Sequence, residues 1–181
     1  METASYEFCG YTSAEMERTL AILDYAILII SGSDGVQAHT ETIWQLLKAH
    51  QIPTFVFVNK MDISYHSKEE LLKEMNQKLD SRCIDFMQED ASLMEDVSMC
   101  DDALMEAYLT QGVLEKDAIK TAIAQRKVFP CYFGSALKLD GIDAFLDGLK
   151  TWIKPKQYGD TFGARIYKIS HDEQGNRLVT N

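Results

Sequence analysis

Asn59, Lys60 and Asp62 place an amide, an ammonium and a carboxylate within four positions, directly after the apolar run Ile52-Pro53-Thr54-Phe55-Val56-Phe57-Val58. An aspartate carboxylate accepts two adjacent N–H donors, such as the ring imino and exocyclic amino groups of guanine. An asparagine amide pins a loop or reaches the acceptors of the same base. The alkyl stem of a lysine lies against a ring face while its head stays in water. The chemistry on offer is recognition of a planar polar base. Three fixed positions recur by chance at about the per cent level in a chain of this length, so the context must carry the reading. The plainer reading is a strand followed by a solvated polar turn.

The context begins with the run itself. Five of the six residues from Thr54 to Asn59 are Thr, aromatic or β-branched, the composition of a strand covered on both faces of a parallel sheet. In such sheets ligands bind just beyond the carboxyl ends of the strands, which is where the polar cluster falls. Asp24 to Ser31 reads as a second fully buried strand, broken by Gly32-Ser33-Asp34-Gly35. Between the two, Thr40 to His50 shows Ile43, Leu46 and Leu47 at helical spacing, with Trp44 nearby. Strand, helix, strand in that order implies a parallel, right-handed crossover.

Ser67 to Leu79 reads as the next helix. Ser67 and Glu70 make a capping box, and Leu71, Leu72, Met75 and Leu79 turn inward. Asp117 to Gln125 is a further helix, and Phe129 to Phe133 a third strand ending in Gly134-Ser135-Ala136. Ile142 to Ile153 is amphipathic, with Ile142, Phe145, Leu146, Leu149 and Trp152 inward and Pro155 as its stop. Ser13 to Leu23 also has helical spacing, while residues 1–12 show no periodicity. Past a linker at 154–160, alternation at Phe162, Ala164, Ile166, Ile169 and Leu178 suggests a β-hairpin opening a different domain.

Composition excludes several functions. At 46% hydrophobic and 25% charged residues the chain can bury a core. Its net charge of -10 argues against a direct grip on a nucleic-acid backbone, which needs Lys and Arg. The longest apolar run, Tyr25 to Ile30, is far too short to span a bilayer, and Met1-Glu2-Thr3 is unlike a signal peptide. The expectation is a cytoplasmic protein with no membrane partner. Cys9, Cys83, Cys100 and Cys131 are scattered, which disfavours both a disulfide framework and a metal site. His39, His50, His66 and His171 are isolated, Glu15 and Glu17 diverge on a helix, and there is no Gly-x-Ser-x-Gly elbow. No catalytic or metal-binding residue is expected. Residues 83–115 hold nine acidic side chains and no Lys or Arg. They read as the wet faces of short amphipathic helices, or as an acidic surface for a basic partner.

Four stretches occur in a fixed order: Ser13-Ala14-Glu15-Met16-Glu17-Arg18-Thr19-Leu20, Asp34-Gly35-Val36-Gln37-Ala38-His39-Thr40, Asn59-Lys60-Met61-Asp62 and Gly134-Ser135-Ala136. Together they resemble the translational GTPases of the elongation factor G class, nearest to the ribosomal-protection tetracycline-resistance proteins. The resemblance implies an α/β fold: residues 1–154 as the carboxyl-terminal part of a P-loop-NTPase-like G domain, with three parallel strands and flanking helices. Residues 161–181 would be the first hairpin of a β-barrel second domain. It implies that Asn59, Lys60 and Asp62 hold the guanine of GTP or GDP. Ser135 and Ala136 would complete the pocket, chiefly through the Ala136 N–H to the base oxygen. The ribosome is the implied partner.

The departures from that family matter as much. These residues contain no Gly-rich loop ending in Gly-Lys-Ser/Thr, and the family's Asp-Thr-Pro-Gly-His falls on Ser5-Tyr6-Glu7-Phe8-Cys9, which matches none of it. Phosphoryl transfer is positioning and charge stabilisation at the γ-phosphate, and a base pocket supplies neither. The expectation is base recognition without hydrolysis by this chain alone, weak GTP or GDP binding, and Mg²⁺ only in a protein that has the phosphate loop. The Asp24–Ser31 strand would lie at a sheet edge, open to pairing in a homodimer. The alternative is a non-catalytic α/β interaction module with a vestigial nucleotide site.

Overall fold

The computed structural model describes residues 19–20, 22–87, 91–155, 168–171 and 177–180. The chain divides into two units, one spanning Asp24–Lys156 and the other comprising Met1–Leu23 with Gln157–Asn181.

The larger unit is a four-stranded parallel sheet. Its strands are β1 (Ala26–Ser31), β2 (Thr54–Asn59), β3 (Cys83–Asp85) and β4 (Phe129–Phe133), in spatial order β1-β2-β4-β3. Among the described residues five helices connect them, α1 (Ala38–Ala49), α2 (Lys68–Lys78), α3 (Ala91–Ser98), α4 (Asp102–Gln111) and α5 (Lys116–Ala124), and α6 (Ile142–Trp152) follows β4. The three strands read from sequence are present, and β3 is a fourth. Pro130 is tolerated inside β4 because the ladder with β2 begins only at Val56↔Cys131, so the missing N–H falls beyond its end.

Two apolar layers cover the sheet. On one face Trp44 of α1 and Leu71 and Met75 of α2 pack on Leu28, Val56 and Val58. On the other, α3 to α6 bring Val97, Ile119, Phe145 and Trp152 onto Phe55 and Tyr132. Gly148 lets α6 come this close, since a Cβ there would lie 2.0 Å from the Tyr132 hydroxyl. Helix α2 carries the expected capping box: Ser67 Oγ accepts from Glu70 N–H, and the Glu70 carboxylate accepts from Ser67 N–H.

Two details correct the sequence reading. Strand β1 is buried on one face only, with Leu28 and Ile30 beneath α1 and Ile27 and Ile29 exposed at 41% and 56%. A run of aliphatic residues says that a strand wants cover and leaves open whether a neighbour reaches it. Leu146 is likewise 41% exposed, because it lies one residue off the Phe145–Leu149–Trp152 stripe that faces the core.

The amino ends of β2 and β4 are held by a residue the sequence did not flag. Arg126 is buried, in a left-handed backbone conformation (φ 59°), with its guanidinium between the rings of Trp44 (5.1 Å) and Phe129 (4.9 Å). It donates to Ile52 O and to Thr54 Oγ1. Burial pulls its pKa below the ordinary guanidinium value. Cys83 and Cys131, both buried, lie on the adjacent strands β3 and β4.

The acidic segment forms β3, α3 and α4, with Leu93, Val97 and Leu104 inward. Two of its carboxylates are paired across the fold, Asp85 with Lys68 (2.5 Å) and Asp101 with Lys127 (2.8 Å). This is the amphipathic-helix reading.

In the second unit, β5 (Lys168–His171) and β6 (Arg177–Thr180) pair antiparallel in the register Lys168↔Thr180 to His171↔Arg177, so a hairpin is present. The helix expected over Ser13–Leu23 falls mostly outside the described residues, with Thr19 and Leu20 helical.

Candidate functional site

The polar cluster stands at the carboxyl end of β2, between the ends of β1 and β4. Strand β2 is buried from Thr54 to Val58, so Asn59 is the first residue to emerge from the sheet. Lys60 then takes a left-handed conformation (φ 63°, ψ 31°), and Met61–Ile63 closes as a 3₁₀ turn. That turn is tied to the end of β4, because Met61 N–H donates to Gly134 O (3.0 Å) and Gly134 N–H to Val58 O (2.9 Å).

Gly134 is required by this closeness. A Cβ would lie 2.2 Å from Asp140 O, within the bridge where Ser135 N–H donates to Asp140 O (2.9 Å) and Asp140 N–H to Ser135 O (3.1 Å). The segment from 134 to 140 is therefore a closed turn presenting Ser135 inward and the Ala136–Leu139 tip outward.

All five residues singled out from sequence come to this corner. Asn59 Oδ1 accepts from Lys60 N–H (2.8 Å) and from Ala136 N–H (2.9 Å), joining the two loops. Asp62 lies beside Ser135, whose buried hydroxyl is the main reason the acid titrates below the ordinary carboxylate value. The Lys138 ammonium, 3.4 Å from Asp62 Oδ2, adds to the same lowering. Asp62 is thus an anion at neutral pH, the state that accepts paired N–H donors.

One contact differs from the resemblance. The Ala136 N–H assigned to the base oxygen donates here to Asn59, since the turn closes tightly enough to bring them together. Among the described residues, the Leu137 N–H makes none of the turn's main-chain hydrogen bonds and sits at the tip. Lys138, which spacing did not single out, pairs with Asp62 because the turn folds the residue back over the 3₁₀ segment. A basic residue three positions after Ser135 is the only signal the sequence offered.

A cavity of about 290 Å³ adjoins the corner. Ser31, Asp34, Gln37, His39, Asn59 and Lys60 are among the residues that line it. Asn59 and Lys60 are shared with the corner, whereas Asp62, Ser135 and Ala136 lie outside its walls. Gly35 (φ 65°) and Asp34 turn the chain here, both donating N–H to Ser31 O. Among the described residues no group of His, Cys, Asp and Glu is arranged to hold a metal ion. Nor is any described helix long and apolar enough to cross a membrane.

Comparison with known proteins supplies the family. The profile of the Elongation factor Tu GTP binding domain matches residues 11–155. A tetracycline resistance protein, TetW of Butyrivibrio fibrisolvens, is 28% identical over 186 aligned positions, covering 92% of this chain and 29% of TetW. The mitochondrial ribosome-releasing factor 2 of Drosophila grimshawi is 25% identical, covering 91% of this chain and 30% of that protein. A crystal structure from Thermus thermophilus shares the fold with a TM-score of 0.71 at 18% identity, covering 92% of this chain and 32% of its own. The chain spans about 30% of the length of the curated relatives it matches. With the parallel sheet, the motif at the end of β2 and most of its length matched, this chain belongs to the Elongation factor Tu GTP-binding-domain family of translational GTPases.

Proposed function

We propose that this chain carries the guanine-recognising corner of a ribosome-associated translational GTPase, with Asn59, Lys60, Asp62, Ser135 and Ala136 as its base-binding residues. The observation that carries this is the joining of the two loops: Asn59 accepts from the Ala136 N–H and Lys138 pairs with Asp62, so amide and carboxylate share one rim. The Asp62 anion accepts from the base's imino and amino N–H groups, the Lys60 stem covers one ring face, and the turn at Ser135 and Ala136 borders the base oxygen. The residues fit a guanine base. They do not include the Gly-rich loop that would cradle phosphates and Mg²⁺, so no hydrolytic step is derived for this chain.

One relative's name points to the ribosome and another's to tetracycline resistance; we read the role as tetracycline protection or elongation-factor-like action in the cytoplasm, with residues 161–181 opening a β-barrel second domain. Base contacts alone support a dissociation constant of about millimolar or weaker. Calorimetry with GDP and with XDP, on the unmodified chain and on Asp62→Asn, tests the corner. A preference moving from guanine toward xanthine is expected, because an amide offers xanthine the donor that the carboxylate lacks. Equal affinities in both proteins would refute the assignment.

One observation favours a second reading. Asp62 is paired with Lys138, and the Ala136 N–H is used by Asn59, so both groups have partners within the chain. A non-catalytic α/β module with a vestigial site would keep these contacts as structure, and it predicts binding of neither nucleotide.

A further inference from the structure

The ammonium beside Asp62 has a use beyond holding the turn. We infer that Lys138 competes with a guanine base for the Asp62 carboxylate, and so sets the affinity and selectivity of the corner. This rests on the reading of the corner as a guanine site.

The geometry of the pair carries the inference. Lys138 Nζ lies 3.4 Å from Asp62 Oδ2. The Asp62 side chain is 14% exposed and the Lys138 side chain 62%, so the lysine is the outer member of the pair. Its backbone is held by the turn, with the Lys138 N–H donating to Ser135 O (3.2 Å) and to Ser135 Oγ (3.4 Å). Leu139 follows in a left-handed conformation (φ 59°), uncommon for a bulky residue, and reverses the chain directly after it. The ammonium is therefore tethered within reach of the carboxylate.

Two simpler uses of the pair fall short. An aspartate is ionised at neutral pH without a lysine beside it. An ion pair with one long, exposed side chain adds little to stability, and the turn already has the Ser135–Asp140 bridge and the Asn59–Ala136 bond.

What the ammonium does is occupy an acceptor. Guanine presents its imino and amino N–H groups side by side and engages a carboxylate through both oxygens. With so little of the Asp62 side chain exposed, base and ammonium must use the same opening. Xanthine has a carbonyl where guanine has the amino group. An ammonium kept at Asp62 donates to that carbonyl instead of opposing it. Lys138 thus works against guanine and for xanthine, and softens the discrimination that Asp62 alone would impose.

The test is a chemical-shift titration of the full chain, unmodified and as Lys138→Met, with guanosine and with xanthosine. The substitution is expected to tighten guanosine about two- to fivefold, the scale of an exposed ion pair, and to weaken xanthosine. Guanosine is uncharged, so salt acts on the internal pair. Raising NaCl from about 0.05 to about 0.5 M should tighten guanosine on the unmodified chain and leave Lys138→Met unchanged. Lys138→Arg keeps a cation and should keep the unmodified pattern, while Lys138→Gln carries the test if the methionine variant folds poorly. Guanosine bound equally or more weakly without the lysine would overturn the role of Lys138 and leave the base corner standing. Guanosine bound by none of these proteins would remove the corner itself, and this inference with it.

Discussion

The β2–β4 corner and the β1 margin lie at neighbouring parts of one sheet and are built in opposite ways. At the corner the polar groups have partners from the other loop: Asn59 with Ala136, Asp62 with Lys138, Met61 with Gly134. At the margin the side chains are aliphatic and the outward main-chain groups are unpaired among the described residues. A ligand-reading rim needs fixed polar groups, and fixing them takes reciprocal hydrogen bonds. A margin of bare strand fixes nothing in itself and answers to whatever strand arrives. The first region is built to hold polar groups in place, and the second is not.

That contrast can be broken by substitution, beginning with the largest effect. Gly134→Ala drives a methyl into Asp140 O and should cost about 2–3 kcal/mol by chemical denaturation, through strain in a closed turn. Asn59→Ala removes an acceptor used by two N–H groups and should cost about 2 kcal/mol. It should also loosen the 134–140 turn in amide exchange. If either protein keeps its full stability, the corner is not held as described.

Ser135→Ala should move the Asp62 titration up toward its ordinary value. The sign follows from linkage. Asp62 has a lowered folded pKa, so its contribution is present above about pH 4 and fades as pH falls through the folded value. In the Ser135→Ala protein the contribution is smaller and its fading is complete at higher pH, because the folded pKa has risen, and carboxyl-carbon NMR titration reads that folded value directly. Smallest of all, Ile29→Thr at the margin should leave the stability of the dilute protein within about 0.5 kcal/mol. A larger loss would mean that the margin is covered after all.

How much of this was legible beforehand differs between the same regions. The burial of β2, the capping box on α2 and the helical stripe of α6 follow from spacing alone, because each is a local periodicity. The place of the polar cluster was also legible, since Asn59-Lys60-Met61-Asp62 is contiguous and ends a strand. Three things were not. Strand β3 is three residues long, and Cys-Ile-Asp within an acidic stretch carries no alternation. The bareness of Ile27 and Ile29 depends on which helices reach the face of β1, which no local pattern encodes. The Lys138–Asp62 and Ala136–Asn59 contacts depend on how tightly the turn after β4 closes, and that is fixed by Gly134 and the Ser135–Asp140 bridge.

The thiols of β3 and β4 give the fold a built-in clock. Cys83 and Cys131 are buried, and burial holds the Cys131 thiol well above its ordinary pKa. Cys100, half-buried, is pushed up to about 11. Since the thiolate is the reacting species, alkylation of these three described sites in native buffer waits for the backbone around them to open. Cys100 should be consumed first, while Cys83 and Cys131 mark the rare events in which β3 and β4 part.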